Sequence, residues 1–185
     1  MAHIETTDPK NARGNLKEIY DQLLETRGKI AEVHKIQSLN PEALVSHMDL
    51  YMTIMFGKSP LRRYQREMLG VVTSAVNKCA YCINHHEQAL LAYWKDKAKT
   101  RQLVNDRSKL DLSETDHLLC NLAEHLTLNK NPDYTKEIET LQKSGLKDRA
   151  ILDAVQVIAY FNFVNRMVLG LGVEFSEEEM KGYKY

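Results

Sequence analysis

Residues 61–86 read LRRYQREMLGVVTSAVNKCAYCINHH, and the fold turns on how this stretch is divided. Ser59 and Pro60 stand just ahead of it, a polar cap followed by a proline suited to the first helical position. Asn77 is a second candidate N-cap, which predicts a new helix from about Asn77 to Lys97 with Cys79 and Cys82 in its first turns. On one unbroken helix Glu67 and Cys79 would lie about 18 Å apart, too far to act together. A reversal near residues 73–78 instead folds the first helix back and brings Glu67 toward the sulfurs.

The rest of the chain repeats this pattern. Leu16, Ile19, Tyr20, Leu23 and Leu24 recur at three-to-four spacing, predicting a helix over 12–26 that Gly28 ends. Asn40, Pro41 and Gly57 bracket another helix. A connector spotted with Lys and Arg over about 96–110 leads to a helix that Ser113 and Asp116 open as a capping box. A shorter helix over 134–143 stops at Gly145, a long one runs over 147–169, and the tail FSEEEMKGYKY is read as one last short helix or a frayed end. No segment alternates with period two, so the expected class is all-α, in a single domain spanning 1–185.

Composition narrows the function. The 185 residues carry 25 basic and 25 acidic side chains, and no dense basic run stands out. Nothing suits a phosphate backbone, so nucleic acid is not an expected partner. The apolar stretch over 150–173 is broken by Asp153, Gln156, Asn162, Asn165 and Arg166, and is read as a buried helix, not a membrane span. No secretory signal is visible at the N-terminus, and three cysteines are an odd number. Both point to a reducing cytoplasm without a disulfide framework.

Cys79, Cys82 and His86 fall on one helical stripe. Positions three apart on a helix have Cβ atoms about 5–6 Å apart, within reach of a disulfide. The first-turn dipole favours thiolate over thiol. His86 follows Cys82 by one turn, so its imidazole can take the thiol proton or return one to a leaving oxygen. That proximity makes Cys82 the candidate nucleophile and Cys79 the resolving thiol. A buried Glu67 could orient His86 and hold its tautomer, or relay a proton. The same atoms could also serve as a zinc site, although Cys, Cys and His leave a closed site one ligand short. A CxxC can also be incidental. His85 is turned about 100° away from His86. Cys120 reads as a small core residue. The aromatic side chains Tyr64, Tyr93, Trp94, Tyr160, Phe161 and Phe163 read as packing before they read as a pocket.

Glu67, Cys79, Cys82 and His86 together spell E-x11-C-x2-C-x3-H, which resembles the active-site signature of the AhpD-like alkyl hydroperoxidases, within the carboxymuconolactone decarboxylase superfamily. NPEAL upstream and GLKDRAILDAVQVIAYFNFVNRMVLGLGVEF downstream are similar to its peroxidase-related branch. The resemblance covers most of 38–175, leaving 1–37 as an N-terminal helical extension to an AhpD-like bundle. It implies a thiol peroxidase without haem, metal or other cofactor. In such an enzyme Cys82 attacks a hydroperoxide, Cys79 resolves, and Glu67 and His86 relay protons. Tyr81 occupies the position of a relay histidine in the family, and a phenol with pKa near 10 cannot shuttle protons as an imidazole does. The resemblance further implies a dithiol reductant, such as a lipoyl-bearing protein, and homo-oligomerisation. The competing readings are a thiol–disulfide sensor or reductase without peroxide turnover, and a zinc-stabilised helical module. Lactone decarboxylation would leave the CxxC pair without a use.

Overall fold

The computed structural model describes residues 2–131 and 133–176, and among these no strand forms. The expected all-α class holds. Among the described residues nine α-helices follow one another: α1 (Gly14–Arg27), α2 (Glu32–Lys35), α3 (Pro41–Phe56), α4 (Arg63–Val76), α5 (Ala80–Trp94), α6 (Lys97–Asn105), α7 (Glu114–Leu128), α8 (Thr135–Lys143) and α9 (Asp148–Leu171). Short 3-10 turns occur at Pro9–Asn11 and Arg107–Lys109. Most of the tail, for which a last helix or fraying was expected, lies outside the described residues.

Two compact units are present, Met1–Met52 with Arg166–Tyr185, and Thr53–Asn165. In the first, Leu16, Ile19, Tyr20 and Leu23 on α1 pack with Ile30 and with Leu44 of α3. Gly28 ends α1 in the left-handed conformation at φ 77°. Asn40 caps α3, its Oδ1 accepting from the Ala43 amide at 3.1 Å.

The second unit is built around α4, which packs against α5, α6 and α7. Residues 65–74 of this helix are buried all round. A helix buried on every side must satisfy its own polar groups, and that requirement shapes the site. Met68, Leu69, Val71 and Val72 are matched by Leu90 of α5, Leu103 of α6, and Leu119 and Leu122 of α7, all buried. From α9 come Ala154, Val157, Ile158 and Phe161, also buried. By length and composition α9 could cross a membrane, but the residues named here face a protein core.

Three boundaries differ from the expectation, each for a local reason. α4 begins at Arg63, not at Pro60. The Ser59 hydroxyl donates to Asp153 at 2.5 Å and accepts from the Leu61 amide at 3.1 Å, while Gln65 reaches back to the Arg62 amide at 2.9 Å. The expected connector over 96–110 contains helix α6, capped by Asp96 and burying Thr100 and Leu103. Finally, Asn77 does not cap the motif helix. It ends α4, and α5 starts at Ala80 with Cys79 in the N-cap position.

Candidate active site

The reversal between α4 and α5 is a tight helix stop. The Cys79 amide donates to Ser74 O at 2.9 Å and the Lys78 amide to Ala75 O at 3.0 Å. These are the paired bonds of a Schellman motif, with Lys78 at φ 57° in the position that glycine usually takes. Cys79 is therefore the last residue of one motif and the cap of the next helix, since its carbonyl accepts from Ile83 at 3.0 Å. The reversal expected near 73–78 is present.

Folding back has the anticipated effect on Glu67. Its carboxylate is completely buried, and Oε2 lies 2.6 Å from Nδ1 of His86 on α5. The other oxygen, Oε1, accepts from the Arg63 guanidinium one turn earlier on α4. A buried carboxylate without partners would be costly, and this one has a partner on each oxygen. Arg63 is itself tied down: it donates to Met55 O at 3.1 Å and lies over the Phe56 ring at 3.7 Å.

The Phe161 ring from α9 meets the His86 imidazole in a T-shaped arrangement, with centroids 4.5 Å apart and planes at 86°. Phe161 reaches this position because residue 70 is glycine. A β-carbon there would fall 2.6 Å from two of the ring atoms.

Cys79 and Cys82 are free thiols, both buried. The Cys82 S–H donating to the Cys79 sulfur draws the Cys79 thiol below the ordinary range, against the opposing effect of burial. As the donor, Cys82 is pushed well above that range by the same hydrogen bond and by burial, and the Asn165 amide works the other way. The two sulfurs titrate as a pair, with the first negative charge on Cys79. Asn165 is fully buried and belongs to an amide network behind the turn. Its Oδ1 and that of Asn162 accept from Asn77 Nδ2 at 3.0 and 2.9 Å, and its own Nδ2 donates to Ser74 Oγ at 3.2 Å.

Of the other residues weighed from sequence, Tyr81 is buried, with its ring centroid 4.2 Å from that of His85 and the planes tilted by 31°. His85 Nδ1–H donates to the Tyr81 carbonyl at 2.8 Å, so the pair is packed together. Cys120 is a core thiol, pushed up to about 12 by burial. Among the described residues no three His, Cys, Asp or Glu side chains gather as a metal would need, so the zinc reading has no ligand set. Arg63 and Gly70 are not singled out by the sequence reading, and Phe161 enters it only as packing before pocket. Arg63 had a readable signal, its i,i+4 spacing from Glu67; the contact between Gly70 and Phe161 is tertiary and had none.

Residues 41–108, which contain all four motif positions, match the carboxymuconolactone decarboxylase family. The described fold is similar over 99% of the chain to a peroxidase-related protein from Silicibacter sp. TM1040, at 25% identity, a TM-score of 0.86 and 96% coverage of that chain. Residues 41–108 thus carry a carboxymuconolactone decarboxylase family match within an AhpD-like fold. A second structure similar to this fold is the peroxidase-related protein, with an alkylhydroperoxidase AhpD core, from Ralstonia eutropha JMP134. It is 20% identical with a TM-score of 0.86, over 97% of this chain and 94% of that one. The debrominase Bmp8, whose structure in complex with 2,3,4-tribromopyrrole is known, shares the fold at 14% identity and a TM-score of 0.78, over 94% of this chain and 91% of its own. No curated protein sequence matches the chain. The superfamily fold supports a peroxidase-related role at the level of the family.

Proposed function

We propose that the chain is a thiol-dependent peroxidase that reduces hydroperoxides, with Cys82 as nucleophile, Cys79 as resolving thiol, and His86 and Glu67 as the proton relay. The observation that carries this reading is the buried Glu67 carboxylate at 2.6 Å from His86, whose helix bears the thiol pair. The sulfurs and the imidazole share two protons. In the attacking state one sits on Cys79 and the other on His86, where the Glu67 charge stabilises the imidazolium. The Cys82 thiolate attacks the terminal peroxide oxygen, an S–O bond forms and the O–O bond breaks. The leaving alkoxide takes the His86 proton and departs as alcohol. Cys79 then attacks the sulfenic sulfur; its proton leaves with the hydroxyl as water, and the disulfide closes. An external dithiol, of which a protein-bound lipoyl group is one kind, restores both thiols by exchange.

The hydrogen bond between the sulfurs supports this division of labour. Passing the S–H proton from Cys82 to Cys79 makes the nucleophile and the protonated resolving thiol in one step. The lowered Cys79 thiol also favours a second reading, thiol–disulfide exchange without peroxide turnover, because Cys79 is the sulfur that ionises first. We place the protein in the cytoplasm. We further propose a homo-oligomer that covers exposed apolar side chains such as Tyr93 on α5 and Leu152 on α9.

Stopped-flow mixing with an alkyl hydroperoxide tests the reading. The expected result is loss of two thiols per peroxide with stoichiometric alcohol, and Cys79→Ser should accumulate a sulfenic acid on Cys82. Oxidation of Cys82→Ser at the parent rate would overturn the assignment. Exchange with small dithiols but no peroxide-dependent cycling would favour the second reading.

A further inference from the structure

We propose that Arg63 is a positioning residue whose guanidinium takes up the charge of Glu67 and so leaves the resting His86 imidazole neutral, with Nδ1–H bound to Glu67 and Nε2 open as the base. The inference rests on the peroxidase reading for its purpose and on geometry for its content. Glu67 is fully buried and has two oxygens, one on Arg63 and one on His86. Both partners can carry a positive charge, but one buried carboxylate balances only one of them. Arg63 is charged under all conditions and holds its place through Met55 O and the Phe56 ring. The imidazole is then free to give its Nδ1 proton to a neutral hydrogen bond. Without Arg63, the one cationic partner hydrogen-bonded to the carboxylate among the described residues would be His86, which would protonate and lose its lone pair. Arg66 feels the Glu67 charge but spends its Nη1 hydrogen bonds on Ile54 O and Gly57 O.

The groups around the imidazole support this. From α4 it meets Glu67, with Arg63 behind and Arg66 coupled to both at longer range. From α9 it meets the Phe161 ring, which carries no charge. On its own helix the Cys82 thiol lies one turn back with Cys79 at the tip, His85 is engaged with Tyr81, and Glu87 is paired with Arg101.

The test is the ring 15N spectrum of His86 in the reduced full-length protein at pH 7, read alongside the pH profile of peroxide-driven thiol oxidation. Wild type should show one protonated and one bare ring nitrogen. Arg63→Lys keeps the charge and should look the same. Arg63→Gln keeps hydrogen bonding but loses the charge. It should show both nitrogens protonated and a rate reduced at least ~10-fold at pH 7, recovering as pH rises and the imidazole is freed. The Glu67→Gln, Arg63→Gln double variant should return the ring to neutral. A doubly protonated ring in wild type would overturn the proposal, as would a neutral ring in Arg63→Gln; the wild-type spectrum decides even where a variant does not fold. The ring state needs no turnover, so the expected spectra without peroxide consumption would refute the peroxidase reading and leave the role of Arg63 standing.

Discussion

Replacing Gly70 with alanine should separate the stability of the protein from the chemistry of its site. The added β-carbon falls 2.6 Å from Cε2 and Cζ of Phe161 and 3.1 Å from Cε1. Unstrained carbon contacts are about 3.5–4.0 Å, so the ring must withdraw by about 1 Å. It has little room, being buried in T-shaped contact with His86 and with Tyr160, whose ring centroid is 5.4 Å away. Overpacking of this kind costs about 1–3 kcal/mol, while alanine in a helix interior gains about 1 kcal/mol over glycine. The net loss is about 0–2 kcal/mol, a Tm change of a few degrees for a chain of this size. The imidazole that leans on the ring moves with it, and displacement of a catalytic group by about 1 Å can lower the rate by about 100-fold. Stopped-flow oxidation and thermal unfolding of Gly70→Ala should therefore give a large loss of rate with a small loss of Tm. In a Phe161→Leu background the clash is gone and the same substitution should stabilise by about 1 kcal/mol. A wild-type rate for Gly70→Ala, or the same stability change in both backgrounds, would refute the reasoning.

Two further expectations concern titration. Burial lowers His47 from 6.5 to about 4, so between those values the unfolded chain binds the proton that the fold rejects. Stability should rise with pH across this window and fall by about 3 kcal/mol on acidification through it. Urea unfolding of wild type and His47→Gln at pH 7 and pH 4 should show that difference missing from the variant. Thiolate absorbance at 240 nm should appear in wild type below the ordinary thiol range, and Cys82→Ala, which removes the S–H donor, should move its midpoint upward; an unchanged midpoint would show that the sulfur pair does not set it.

Local signals carried most of the helix plan. Asn40 with Pro41, Gly28 and Ser113 each act where their side-chain or backbone chemistry says they should. The misplacements arise where a capping residue has a stronger partner far along the chain. Asn77 looks like a cap, but its amide is bound to Asn162 and Asn165, more than eighty positions away. Ser59 is drawn to Asp153 in the same way. The α6 helix was hidden because its buried stripe, Thr100 and Leu103, is thin among lysines and arginines. In the site, Cys79, Cys82 and His86 could be read from spacing because helix geometry fixes their relation. Glu67 needed the reversal near residues 73–78 and the resemblance to the AhpD-like signature. Arg63 was overlooked because an i,i+4 charge pair ordinarily belongs to a solvated surface. Whether its partner is buried is decided by α5 and α9, which the local sequence does not reveal.

The stop at Asn77–Lys78–Cys79 also makes the interval before it a ruler. Each residue on a helix turns the next by about 100°, so one residue gained or lost between Glu67 and Val76 would swing the carboxylate past the imidazole or short of it. Slack elsewhere does not help, because Lys78 joins the two helices without a loop that could absorb the error. Between Glu67 and His86 the count itself is the tolerance.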